Sequence, residues 1–256
     1  MRELMLTAAV KASDFETACA ILQGLTWMAP RRTIYRVLFF AGQPQPKGLP
    51  NKRTFQMSKM APLWSELHQQ LLRSSHIIQI AYEVLPENDF GKGTEMQFAS
   101  LPGTLRWTNF PDPWRDTPVI SRRKIEIPGQ QHLTMAMLDN KHTYTNEMIQ
   151  ESHSFVRGDV EFILSRYYHL PESTGRPIQT LPSWEDLRPV DPAQKWVLNV
   201  KLNIVEDNPE KSKRALDEIL AVKAELDELF DFKMIDRRVL DTRIAPPPVI
   251  PGRGPQ

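Results

Sequence analysis

The chain has 256 residues, 41% of them hydrophobic and 25% charged, an ordinary globular profile with room for one large domain or two small ones. Its net charge of +1 supplies no global field to draw nucleic acid or an anionic membrane, and no direct sequence-specific reading of nucleic acid is expected. The lone cysteine, Cys19, excludes an internal disulfide and reads as a small buried hydrophobe of a reducing compartment, and no stretch approaches the roughly 18 apolar residues that span a bilayer.

Leu4, Leu6, Ala8 and Val10 alternate with Met5, Thr7 and Ala9, which predicts a first strand rather than a signal peptide. Ser13 and Glu16 have capping-box spacing, Phe15, Ala18, Cys19 and Leu22 form one helical stripe, and Gly24 is the expected stop. Thr33 to Ala41 reads as a strongly apolar strand. Residues 42–60 form a proline-rich loop, after which Leu63, Trp64, Leu67, Leu71 and Leu72 mark a short helix.

From His76 the pattern predicts strands in series: His76–Leu85, Thr94–Phe98, Gly103–Asn109, Val119–Ile127, His132–Leu138, His142–Val156, Val160–His169 and Trp196–Val205. Asp139-Asn140-Lys141 and Gly158 are short, turn-like links, which imply antiparallel neighbours, because a parallel crossover needs a dozen or more residues. Many strands with few helices point to an α+β chain built on a barrel or sandwich. Asn208 at the N-cap and Pro209 at the first helical position open the longest helix, with Leu216, Ile219, Leu220, Leu226 and Phe230 as its apolar stripe. A last strand is expected near Asp231–Ile235. A single domain over 1–244 is the simplest division, and the proline-glycine tail 245–256 has too little apolar content to pack.

The chain carries no phosphate-binding glycine loop and no G-x-S-x-G nucleophile elbow. None of its six histidines has metal-ligand spacing, so neither cofactor nor metal is expected. Arg122, Lys124 and Glu126 share one strand face, as do Arg157, Asp159 and Glu161, while Glu147, Glu151 and His153 share a parity in the strand before. Trp107, Phe110, Pro111, Pro113 and Trp114 form either a packed strand end or a contact platform. Arg122-Arg123-Lys124 is either a basic contact for acidic partners or DNA phosphates, or a solvated edge. Trp107, Phe110, Trp114, Arg122 and Arg123 are therefore the partner-binding candidates.

The string Leu105-Arg106-Trp107 followed by Phe110-Pro111-Asp112-Pro113-Trp114 resembles a signature of the Mediator subunit 18 family. Further blocks follow in the same order: Arg2 to Ala8, Cys19 to Leu25, Arg36 to Phe40, Trp64 to Leu71, Phe155 to Glu161, Leu181 to Leu187, Phe230 to Phe232 and Asp236 to Arg243. The resemblance implies a closed antiparallel β-barrel with flanking helices, similar to the tunnel fold of metal-dependent triphosphatases. It implies a non-enzymatic nuclear subunit of the Mediator head that pairs with Mediator subunit 20, holds a C-terminal helix of Mediator subunit 8, and meets RNA polymerase II and general initiation factors. The tunnel enzymes place a Glu-x-Glu pair in the first strand, where this chain has Glu3 and then Met5. The alternative is a metal-dependent triphosphate hydrolase using Glu147, Glu151, Asp159 and Glu161.

Overall fold

The computed structural model describes residues 1–44, 60–113, 117–173, 175–205 and 208–243. Most of the proline-rich loop, Trp114 and the tail lie outside them. The alternating segments form nine strands: β1 Arg2–Val10, β2 Arg31–Gly42, β3 His76–Glu83, β4 Gly103–Thr108, β5 Ile120–Gln130, β6 Thr143–Arg157, β7 Val160–His169, β8 Arg188–Pro189 and β9 Trp196–Ile204. Among the described residues eight of them close a ring in the order β6-β2-β3-β4-β5-β1-β9-β7, with β7 returning to β6 and the two-residue β8 added outside on β7. Every ring pairing is antiparallel, as the short links require.

Side chains alternate across this wall, and here the apolar parity points outward. Leu4, Leu6, Ala8 and Val10 of β1 join Phe162 and Leu164 of β7 and Leu198, Val200 and Leu202 of β9 in one cluster. Two helices complete it: α1 (Phe15–Thr26), which buries Ala18, Cys19 and Leu22, and α5 (Pro209–Leu226), which buries Ala215, Ile219, Val222 and Leu226. A second cluster joins Leu38, Ile78, Ile80, Leu105, Ile125 and Ile127 of the opposite wall to α2 (Ala61–Leu71) and α4 (Leu133–Asp139). A third, with Ile34, Ile149, Tyr168, Leu181 and Leu187, lies under the loop before β8 and beside the short α3 (Pro86–Asp89). The hydrophobic core is thus a coat between barrel and helices.

Six local expectations are corrected. His132–Leu138 contains α4 rather than a strand: five of its seven residues are apolar, so both periods fit, and burial of Leu133 and Met137 follows the helical spacing i, i+4. Asp139-Asn140-Lys141 therefore joins a helix to β6. Thr94–Phe98 is irregular; Met96 and Phe98 alternate because both cover Arg36. Asp231–Ile235 makes only an isolated bridge, Phe232 to Ala8. Ser13 bonds Asp14 rather than capping α1, and the helix runs through Gly24 to end at Trp27, whose φ of 55° is left-handed and whose amide returns to Gln23. At α5, Asn208 accepts from the Glu210 amide as expected of an N-cap.

Candidate functional site

The inward parity of the ring mixes charged and polar side chains with Met5, Ala9, Ile163 and Val197 and lines a partly open cavity of about 1000 Å³. Its β1 contribution is Glu3, fully buried, whose register partner across β5 is Arg122. Arg122 donates to Glu3 through Nε at 2.7 Å, Lys124 lies 3.3 Å from the same carboxylate and Lys201 of β9 lies 3.9 Å away. Burial works to raise the Glu3 carboxyl, but the charges of Lys201, Arg122 and Lys124 together outweigh it and hold the group at about 2. Burial pushes Lys201 down, Glu3 opposes it, and the like charges of Lys124 and Arg122 add to the depression. Lys124 also reaches Glu126 at 3.2 Å.

On the adjoining wall the Arg106 guanidinium lies 4.8 Å above the Tyr35 ring and donates to Gln150 at 3.1 Å. Its Nε is buried without a hydrogen-bond partner. Tyr167 is 36% exposed because it faces this cavity. Burial raises its hydroxyl against the pull of Arg106 and Arg122. The segment after α5 crosses one side of the cavity: Thr242 donates to the Thr108 carbonyl at 2.9 Å and accepts from the Ile77 amide at 3.0 Å.

The outer face carries its own ionic clamps. Arg36 and Glu147, both buried, pair at 2.6 Å, and Glu147 also accepts from the Ile178 amide at 2.7 Å. They fasten the loop before β8 to the barrel. Glu151 accepts from Tyr168 at 2.5 Å, Arg32 at 2.9 Å and Arg166 at 3.2 Å. Burial would raise the Glu151 carboxyl, and bonds from His153, Tyr168 and Arg32 lower it to about 2. Near the end of β2 the imidazoles of His76 and His142 meet through Nε2 atoms 3.0 Å apart, packed over Gly42. Burial lowers both, and the His76 charge helps bring His142 to about 4.

The hydrolase residues do not converge. Glu161 lines the cavity, Glu147 and Glu151 lie on the outer face under the loop before β8, and Asp159 sits in the turn between β6 and β7. Among the described residues no three acids, histidines or cysteines are grouped to hold a metal ion.

The five partner-binding candidates also separate. Trp107 is 7% exposed and committed to the second cluster. Phe110 is half-buried between the guanidinium groups of Arg237 at 4.5 Å and Arg243 at 4.0 Å. Arg122 points into the cavity, and Arg123, half-buried, ties its amide to Asn109 at 2.6 Å. Trp114 is outside the described residues. Sequence reading passed over Glu3's three cationic neighbours because strand periodicity gives a residue's face but not which strand lies beside it.

Comparison with known proteins agrees with this architecture. The model of the family described as Med18 protein matches residues 2–243. Curated relatives named Mediator of RNA polymerase II transcription subunit 18 include one from Aspergillus fumigatus, 24% identical over 95% of this chain and 99% of its own length. Another, from Neosartorya fischeri, is 25% identical over 95% of this chain and 99% of its own length. A chain in the structure of the Schizosaccharomyces pombe Mediator head module aligns with a TM-score of 0.65 at 14% identity, covering 92% of this chain and 99% of that one.

Proposed function

Since this chain belongs to the Med18 family, matched over residues 2–243, we propose that it is a structural subunit of the Mediator head that acts in the nucleus by docking rather than by turnover. The observation that carries the reading is the length of the match, which spans the barrel and every helix among the described residues. The closed ring suits such a role: among the described residues each of its eight strands has a neighbour on both sides, which gives a rigid mount for surface loops.

The finer assignment is a stable pair with Mediator subunit 20 and a groove for the C-terminal helix of Mediator subunit 8. Through these contacts the subunit helps relay regulatory signals to RNA polymerase II and its initiation factors. Phe110, braced by two arginines, and Arg123 beside it are the partner contacts we favour among the predicted residues. A pairing of this permanence buries a large, apolar area. Co-expression with Mediator subunits 20 and 8 of the same source, followed by native mass measurement, tests the assignment. A stoichiometric three-chain complex is expected; a monomer that ignores both partners would refute it.

A further inference from the structure

The cavity wall is far more basic than the chain. Its deep part presents Arg106, Arg122, Lys124 and Lys201 against Glu3, Glu126 and Glu161. Lys11 after β1, Arg31 at the start of β2 and Lys195 before β9 extend the same lining. The two remaining acids belong to the segment after α5, where Asp231 has Lys233 at 2.8 Å and Asp241 has Arg243 at 2.7 Å. On the barrel strands five cations therefore face three carboxylates, and Lys11 and Lys195 add two more at the strand ends, although the whole chain has a net charge of only +1.

In the deep part, where four cations face three carboxylates, the charges crowd together. Three cations converge on the single Glu3 carboxylate, and one of them, Lys201, lies at 3.9 Å, too far for a hydrogen bond. Arg106 Nε is buried without a hydrogen bond, its carboxylate neighbour Glu126 lying 3.6 Å away, and Tyr167 faces the same space. Cations gathered this closely repel one another, and a further negative charge relieves the repulsion. A fork of guanidinium donors with ammonium groups beside it matches tetrahedral oxyanions in both geometry and charge. The volume lies within the range of small-molecule sites, about 300–1000 Å³, so the occupant is a small anion and not a folded partner.

We propose that the barrel interior is a binding site for a small multivalent oxyanion of the phosphoryl type, held by Arg106, Arg122, Lys124 and Lys201. Glu3 acts there as the internal counter-ion that keeps these cations gathered when the site is empty. Binding requires no bond to be made or broken.

The test uses the full chain and inorganic pyrophosphate, without added metal, followed by titration calorimetry and phosphorus NMR. One-to-one binding that weakens with ionic strength is expected. Lys201→Met and Arg122→Gln should each weaken it by about tenfold or more, the loss of one good charged contact. Arg157→Gln, which breaks only the outer pair with Glu225, should leave it unchanged. Wild-type protein that neither shifts nor broadens the pyrophosphate resonance overturns the proposal, as does binding that survives both interior substitutions. The Tyr167 ring resonances, identified with Tyr167→Phe, provide an arm that needs no cation removed: they should move on titration. Heat without that movement places the anion outside the barrel and overturns the proposal even if the lysine and arginine variants do not fold.

Discussion

Glu3 shows how much one side chain can be asked to carry. It is fully buried, its three cationic neighbours come from two other strands, and its ionised form is favoured only because they are there. Replacing it with glutamine keeps the shape and removes the charge, leaving Arg122, Lys124 and Lys201 facing one another. Breaking a buried ionic group in this way costs about 3–5 kcal/mol. Glu3→Gln should therefore lower the denaturant midpoint of unfolding by a corresponding amount, whereas Arg157→Gln, which disrupts a pair exposed by 36% and 48%, should change it little. Residue type alone revealed half of this. Alternation put Arg122, Lys124 and Glu126 on one face, and the cavity confirms that grouping. Which face looked inward was not legible, because a barrel coated by helices can place its apolar parity outside. The partners of Glu3 come from positions about 120 and 200 residues further on, a distance over which local pattern is silent.

At the scale of elements, legibility followed the strength of the local signal. Asn208-Pro209 states a helix start in two residues, and α5 begins there with its cap bond at 2.9 Å. Asn208→Ala should cost about 0.5–2 kcal/mol, read as a lower thermal midpoint with the barrel otherwise unchanged. The strands β6 and β7 were equally plain, since Gly158, with φ near 60°, closes a tight hairpin between two long alternating runs. The failures came where pattern was ambiguous. Leu133 to Asp139 is too uniformly apolar for period to decide, and the tight end of α1 is made by Trp27 in a left-handed conformation that asparagine or glycine usually fills. Met96 and Phe98 alternate like a strand while covering a buried guanidinium, so their spacing reflects Arg36 below and not a ladder beside them.

The whole molecule is held by two kinds of interior, an apolar coat and an ionic lumen, and they respond differently to acid. Glu3 and Glu151 each sit near 2 in the folded protein against an ordinary value of 4.5, and His142 sits near 4 against 6.5, with His76 lowered in the same sense. All of these groups bind protons more readily when unfolded. Their contribution is therefore complete above about pH 6.5 and is lost as acid is added, first through the histidine pair between 6.5 and 4 and then through the carboxylates between 4.5 and 2. Unfolding free energies from urea titrations at stepped pH should fall in that order, and Glu3→Gln should flatten the lower stage alone. A curve that stays level from pH 7 to 3 would contradict both placements.

The position of β1 has a consequence for how the chain reaches this state. β1, made before the other eight strands, lies between β5 and β9, and the bond from Thr7 to Asn199 spans 192 residues. At roughly 5–20 residues per second, β1 waits about 10–40 s for its last neighbour to leave the ribosome. During that interval β1 lacks the neighbour on its β9 side, and the ring cannot close before β9 is made. Among the described residues each strand of the finished ring is paired on both sides, so the exposure of β1 to mispairing belongs to the interval before β9 is made.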